Sequence, residues 1–196
     1  MRLPKIALII TMLYICIGCT TTLKMSAPPK LDISGFKQFP FVIGLYIPDE
    51  VKNSSYIEII SPFDKMSIPI GEQTHQLFKD NLSNIFKKVI DVDSINSETN
   101  VDMILEVSIV KFDAVIPKPA YNPYMATIIY RVDIFDRNRE KIFTQSATGE
   151  AQLTKGIFSG FKARSICAEV IHKAMEDSLR KIIEGFYEAE EIKNYK

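Results

Sequence analysis

A chain of 196 residues with 24 basic and 24 acidic side chains carries no formal net charge. This balance excludes the strong positive field through which many proteins hold nucleic acid, so we expect no nucleic-acid partner. The length suits one compact domain with a sizeable hydrophobic core, and a second domain is not expected.

The N-terminus has the order of a secretory signal peptide. Arg2 and Lys5 form a basic end, residues 6–17 are apolar, and the small residue Gly18 precedes Cys19. The apolar run is about twelve residues long, whereas a helix needs roughly twenty to cross the hydrocarbon core of a bilayer. We therefore expect residues 1–18 to be a leader and not a permanent membrane span.

The end of the leader and the residue after it read Cys16-Ile17-Gly18-Cys19, which resembles the lipobox of bacterial lipoproteins. Cys16 departs from the leucine that is commonest at that place. The resemblance implies cleavage before Cys19 and attachment of lipid to it, so that the membrane is a partner. It also implies the outer membrane, because Thr20 stands where an aspartate favours inner-membrane retention. A plain signal peptide and an uncleaved anchor are the alternatives.

Residues 19–40 contain several prolines and few periodic apolar positions, which predicts a lipidated N-terminus and tether before a single domain at 41–196. Once the leader is removed and Cys19 carries lipid, Cys167 alone keeps a free thiol. A disulfide within the mature chain is then excluded. Cys167 falls in the apolar stripe of a predicted helix, where we expect a buried structural thiol.

In the first half of the domain, apolar residues predict strands at 41–47 and 56–60. Prolines and a glycine predict a loop over 61–71. Apolar residues then recur at steps of three and four, which predicts an amphipathic helix over 71–88. A short strand at 89–92 is expected to follow it directly.

In the second half, three longer segments with strand character cover 101–115, 126–135 and 141–153. The polar residues 136–140 predict a hairpin turn between the last two. An apolar stripe then predicts a long helix from after residue 160 to about residue 189. This order of elements predicts an α+β fold with a mostly antiparallel sheet and two helices packed on one of its faces.

No motif in the sequence indicates catalysis or metal binding. His75 and His172 each lie in a predicted helix without a second ligand at metal-binding spacing, and ordinary histidines at a helix surface or boundary are expected. The sequence has no nucleophile elbow and no phosphate-binding glycine loop. We therefore predict no catalytic residue, no metal, no cofactor and no enzymatic activity.

The segment that joins the first two long strands has the composition of a contact surface. Its prolines stiffen it, and aromatic rings offer large contact areas at low entropic cost. We predict that Pro119, Tyr121 and Tyr124 bind a partner. The alternative is a long hairpin loop whose tyrosines fold back on the domain. A second candidate surface is the loop at residues 62–66.

The leader, the length, the order of elements and the segment 125–139 resemble small α+β envelope lipoproteins. These are the YajG-like family, the auxiliary lipoproteins of lipid transporters, and LptE. The resemblance implies a periplasm-facing, non-enzymatic module that binds an envelope protein partner and helps to assemble a complex. The alternative function is a lipid- or small-ligand-binding protein with a pocket between the helices and the sheet.

Overall fold

A computed structural model of the chain describes residues 19–33, 35–61, 64–117, 122–154 and 163–195. The predicted leader, Pro119 and Tyr121 lie outside these residues. The strands are β1 (Cys19–Thr22), β2 (Phe39–Tyr46), β3 (Tyr56–Ser61), β4 (Asp64–Ile68), β5 (Phe86–Asp91), β6 (Met103–Val115), β7 (Tyr124–Phe135) and β8 (Lys141–Leu153). The helices are α1 (Asp49–Lys52), α2 (Ile70–Ile85), α3 (Ala163–Glu188) and α4 (Glu190–Lys193).

The larger sheet has five strands in the order β5-β2-β6-β7-β8. The last three form an antiparallel meander, as predicted, but β2 runs parallel to both β5 and β6. The α+β class is therefore confirmed, whereas the sheet is mixed. The β2–β5 pair is parallel because the chain between these strands, which includes α2, returns to the end of the sheet where β2 starts. The segment 92–102 makes the same return between β5 and β6, so β6 is also parallel to β2.

A smaller sheet has the order β1-β4-β3, with β1 parallel and β3 antiparallel to β4. The prediction of a loop over residues 61–71 was wrong, because β4 lies within it. Met66 and Ile68 are buried, and they alternate with Lys65 and Ser67. This period of two is the signal of a half-buried strand, and the flanking prolines concealed it.

The helix α2 ends three residues before the predicted position. Phe86 has extended backbone angles, with φ of −106° and ψ of 151°, and is fully buried at the start of β5. Lys87 and Lys88 are consequently exposed strand residues and not the last turn of the helix. Burial of the Phe86 ring against Phe39 and Phe186 outweighs the helical periodicity at this point.

Helices α2 and α3 pack on one face of the five-stranded sheet, as predicted. The ring of Phe78 on α2 meets Tyr130 of β7 edge-on at 5.1 Å between centroids, and Phe186 on α3 meets Phe143 of β8 at 5.8 Å. These contacts lie in the main hydrophobic core. On the opposite face, a small cluster around Ile104 lies at one end of the sheet, and no other element in the described ranges covers the outer face of the meander.

Candidate functional site

The predicted lipidation residue is the first residue of a strand. Cys19 opens β1 and lies in register with Asp64 of β4, and Thr22 lies in register with Ser67. The N–H of Leu23 continues this pairing by donating to the carbonyl oxygen of Ser67 at 2.8 Å. The backbone at the candidate anchor is therefore part of the folded domain.

The predicted tether does not stand away from the domain. Leu23 and Leu31 are both buried in the main core. The N–H of Leu31 donates to Oδ1 of Asn81 on α2 at 2.7 Å, and the amide nitrogen of Asn81 donates to the carbonyl oxygen of Pro29. The interpretation of residues 19–40 as a spacer was wrong, because two leucines eight residues apart give no periodic signal although both enter the core.

A cavity of about 390 Å³ lies beside the start of β1. It is open to solvent on one side and bordered by the hairpin of β3 and β4, the end of β6 and the start of α3. Apolar side chains supply most of its walls, and Asp64 and Arg164 bring opposite charges to it. The lining residues are Ile60, Asp64, Met66, Ile116, Ala163, Arg164 and Cys167.

The thiol in this cavity is not set up as a nucleophile. Burial and, to a smaller extent, the negative charge of Glu58 together raise the pKa of Cys167 to about 12. A thiol with so high a pKa stays protonated at neutral pH, and only the thiolate attacks or binds metal. The expectation that this thiol is buried is confirmed.

Both histidines have ordinary polar partners. His75 lies 3.0 Å from the carboxylate of Asp91, which Lys79 also contacts. His172 is buried and lies 3.0 Å from the side-chain oxygen of Gln73, and burial lowers its pKa. Within the described ranges, no three His, Cys, Asp or Glu side chains come close enough to hold a metal ion.

The most buried carboxylate on the outer face of the meander is also fully engaged. Burial alone would raise the pKa of Asp133, but hydrogen bonds from Thr144 and Lys141 and the charge of Arg131 lower it. Lys141 lies 3.0 Å away and Arg131 lies 3.3 Å away. This carboxylate links β7 to β8 and stays ionised, so its geometry does not suit a general acid.

One predicted contact residue belongs to the core. Tyr124 is the first residue of β7 and is only 5% exposed. The alternative, in which the tyrosines fold back on the domain, therefore holds for Tyr124, and the prediction of Tyr124 as an exposed contact was wrong. Pro119 and Tyr121 lie outside the described residues, and their role as contacts stays a prediction.

The sequence reasoning missed an exposed apolar pair next to that loop. Val115 of β6 and Met125 of β7 lie opposite each other in register and are 47% and 44% exposed. The sequence could have predicted that Met125 lies on the opposite sheet face from Tyr124 and Ala126, because neighbouring strand residues point to alternate faces. Local sequence did not show that, among the residues the structure describes, no element covers their side of the sheet.

Of the helices in the described ranges, none combines the length and the apolar character that a membrane crossing requires.

No family model matches the chain, and no curated protein matches it. A DUF330 family protein from Xanthomonas campestris has a TM-score of 0.50 and 7% identity, over 87% of this chain and 99% of that chain. A minor lipoprotein from Acinetobacter baumannii has a TM-score of 0.44 and 11% identity, over 76% of this chain and 91% of that chain. PelC from Paraburkholderia phytofirmans, a dodecamer, has a TM-score of 0.40 and 11% identity, over 79% of this chain and 96% of that chain. The first likeness shows a shared fold, and the predicted likeness to YajG-like proteins and LptE stays a prediction.

Proposed function

We propose that the protein is a bacterial lipoprotein, held by lipid on Cys19 to the periplasmic side of the outer membrane. The observation that carries the proposal is the lipobox-like sequence ending at Cys19, and Thr20 after it favours the outer membrane. Each buried methylene of a lipid chain contributes about 0.8 kcal/mol to membrane binding, so several chains make release negligible.

We further propose that the domain is a non-enzymatic interaction module that helps to assemble an envelope complex. The observation that favours this role is the exposed pair Val115 and Met125, which adjoins the segment holding Pro119 and Tyr121. Methionine and aromatic residues are enriched in protein interfaces, and a partner would remove this apolar surface from water.

The anchor is tested by expressing the full chain with and without Cys19→Ser in cells fed a labelled fatty acid. We expect the wild-type protein to carry the label, to begin at Cys19 by mass spectrometry, and to sediment with outer membranes. The variant should lose the label. An unlabelled wild-type protein that leaves the membrane in salt would overturn the proposed anchor.

The assembly role is tested by crosslinking the lipidated protein in its own membranes and identifying what is bound. Met125→Asp and Tyr121→Ala should each lose a stoichiometric envelope-protein partner. Ser146→Asp is the matched control, because it places the same charge on the same sheet face about six residues, or roughly 20 Å, further along the meander. Retention of the partner by Met125→Asp would contradict the proposed surface.

The cavity supports a second candidate function, the binding of a lipid or small apolar ligand. A volume of about 390 Å³ is within the range of small-molecule sites, and its walls are mainly apolar. Organic extraction of the purified protein should then recover a bound molecule from the wild type and not from Ala163→Trp, which would fill the cavity. If both yield nothing, this candidate is rejected.

A further inference from the structure

The smaller sheet exposes two large aliphatic side chains to solvent. Ile57 and Ile59 on β3 are 55% and 60% exposed. The opposite face of the same sheet is buried in the core through Met66 and Ile68. Two isoleucines exposed by more than half on one short strand form an apolar surface that no described element of the domain covers.

This surface lies in register with the anchor. Ile59 pairs with Lys65, and Lys65 pairs with Thr20, the residue after Cys19. Neighbouring strands are about 4.8 Å apart, so two strand spacings put Ile59 roughly 10 Å from Thr20. The pairs Ile57 with Ser67 and Ser67 with Thr22 form the next row. We call these six residues the outer face of the small sheet.

No flexible linker separates the anchor residue from this face, so the face cannot stand far from a bilayer that holds the anchor. Cys19 directly precedes Thr20, which is itself a member of the first row of the face. The strand that carries both is fixed by its pairing with β4 and by the burial of Leu23. A lipid on Cys19 would therefore keep the small sheet, and with it the first row of its outer face, close to the membrane surface.

The charge of the face suits an anionic bilayer. Lys65 is exposed, and the other five residues of the face are threonine, serine and isoleucine, so the face holds a cation and no carboxylate. A lysine close to a membrane is attracted by anionic headgroups, and aliphatic side chains enter the boundary between headgroups and acyl chains.

We propose that the outer face of the small sheet lies on the bilayer that holds the anchor, with Ile59 and Ile57 inserted among the headgroups. The proposal depends on the lipidation of Cys19 proposed above. It goes beyond that anchor, because it fixes the orientation of the domain at the membrane. A second copy of the chain would cover the same surface differently, and the experiment separates that occupant from the bilayer.

The experiment places an environment-sensitive fluorophore on Ile59→Cys in the full-length lipidated protein. The protein is reconstituted into vesicles of phosphatidylethanolamine and phosphatidylglycerol. Cys167 stays unlabelled because it is buried and its pKa is raised to about 12. The matched control is Glu140→Cys, an exposed site at the other end of the meander. That end is about ten strand residues, or roughly 34 Å, from the end where Ile116 and Ile60 share the cavity.

We expect the emission at position 59 to shift to the blue in vesicles and to be quenched by nitroxide-labelled lipids, and the emission at position 140 to stay that of a label in water. A water-like emission at position 59 in protein shown by mass to be lipidated overturns the orientation and leaves the anchor intact. A shift that follows protein density and not lipid assigns the face to a second copy. If mass spectrometry finds no lipid on Cys19, the proposed anchor itself is overturned.

Discussion

At the scale of single residues, Gly149 shows how closely α3 approaches the sheet. A Cβ atom at this position of β8 would lie 1.9 Å from the carbonyl oxygen of Ala174 and 2.6 Å from the backbone nitrogen of Ser178. Because both neighbours are backbone atoms of the helix, no side-chain rotation relieves the overlap. The glycine is required for the close approach that lets Ser178 donate to the carbonyl oxygen of Ala147 at 2.8 Å.

We therefore expect Gly149→Ala to lower the free energy of unfolding by about 1–3 kcal/mol, the usual cost of forcing extra volume into a packed interface. The measurement is urea denaturation followed by circular dichroism. Gly35→Ala is the control, because no atom lies within 4 Å of its added Cβ and its stability should hardly change. Equal urea midpoints of unfolding for the two variants would show that α3 does not pack against β8 as closely as in the structure.

At the scale of elements, α3 also protects the free edge of β8. The N–H of Glu150 donates to the carboxylate of Asp177 at 3.2 Å, and Nζ of Lys181 donates to the carbonyl oxygen of Thr148 at 2.7 Å. An edge strand with unpaired backbone groups is a template for pairing with another chain. Side chains of α3 bond to these backbone groups of β8, so the edge strand does not offer them to another chain.

The double variant Asp177→Ala/Lys181→Ala should expose this edge. We expect faster amide hydrogen exchange at Glu150 and more self-association at high concentration, measured by exchange mass spectrometry and sedimentation. Glu176→Ala/Arg180→Ala removes a neighbouring ion pair of the same spacing on the same helix, 2.9 Å between its charged atoms, and serves as the control. If both double variants exchange alike at Glu150, the helix does not protect the edge.

The sequence predicted an element well where the segment was long and its apolar residues followed one period, either that of a strand or that of a helix. The three strands of the meander and α3 were placed within two or three residues, because each is a long segment with one dominant period. The short β4 was missed between its prolines. The parallel pairing of β2 with β5 and β6 could not be predicted, because the partner of a buried strand is decided by packing across the whole domain and not by its own residues.

The candidate site was less predictable than the fold. The sequence pointed to Cys19 through a motif and to Tyr124 through composition, and only burial could separate the core tyrosine from the exposed Met125 beside it. Local sequence also gave no sign that Ile57 and Ile59 lie in register with the strand that begins at Cys19. Registers between distant segments follow from the tertiary structure.

At the scale of the whole molecule, the proposed sites lie at the same end. The cavity that contacts β4 beside the start of β1 is lined by Ile116, which directly follows Val115 of the proposed partner surface. A domain anchored at Cys19 would thus present its partner surface close to the membrane, and its 136–140 turn away from it. We expect such a partner to be a protein that lies in or on the same membrane.

This arrangement requires that the segment after β1 stays bound to the domain, and Asn81 is the side chain that holds it. Asn81→Ala would leave the buried N–H of Leu31 without its acceptor, at a cost of about 1–3 kcal/mol. We expect the segment to detach locally and trypsin to cut after Lys30 and Lys24, which limited proteolysis with mass spectrometry would measure.

Asn84→Ala is the matched control on α2. Its side chain is exposed and donates only within the helix, to the carbonyl oxygen of Asp80 at 3.3 Å. Because this bond lies in solvent, its loss should leave the segment resistant to trypsin. Equal resistance of Asn81→Ala and Asn84→Ala would mean that the burial of Leu23 and Leu31 suffices to hold the segment. Rapid cleavage of the wild type at the same lysines would instead restore a mobile tether, and the orientation of the domain at the membrane would then no longer be fixed.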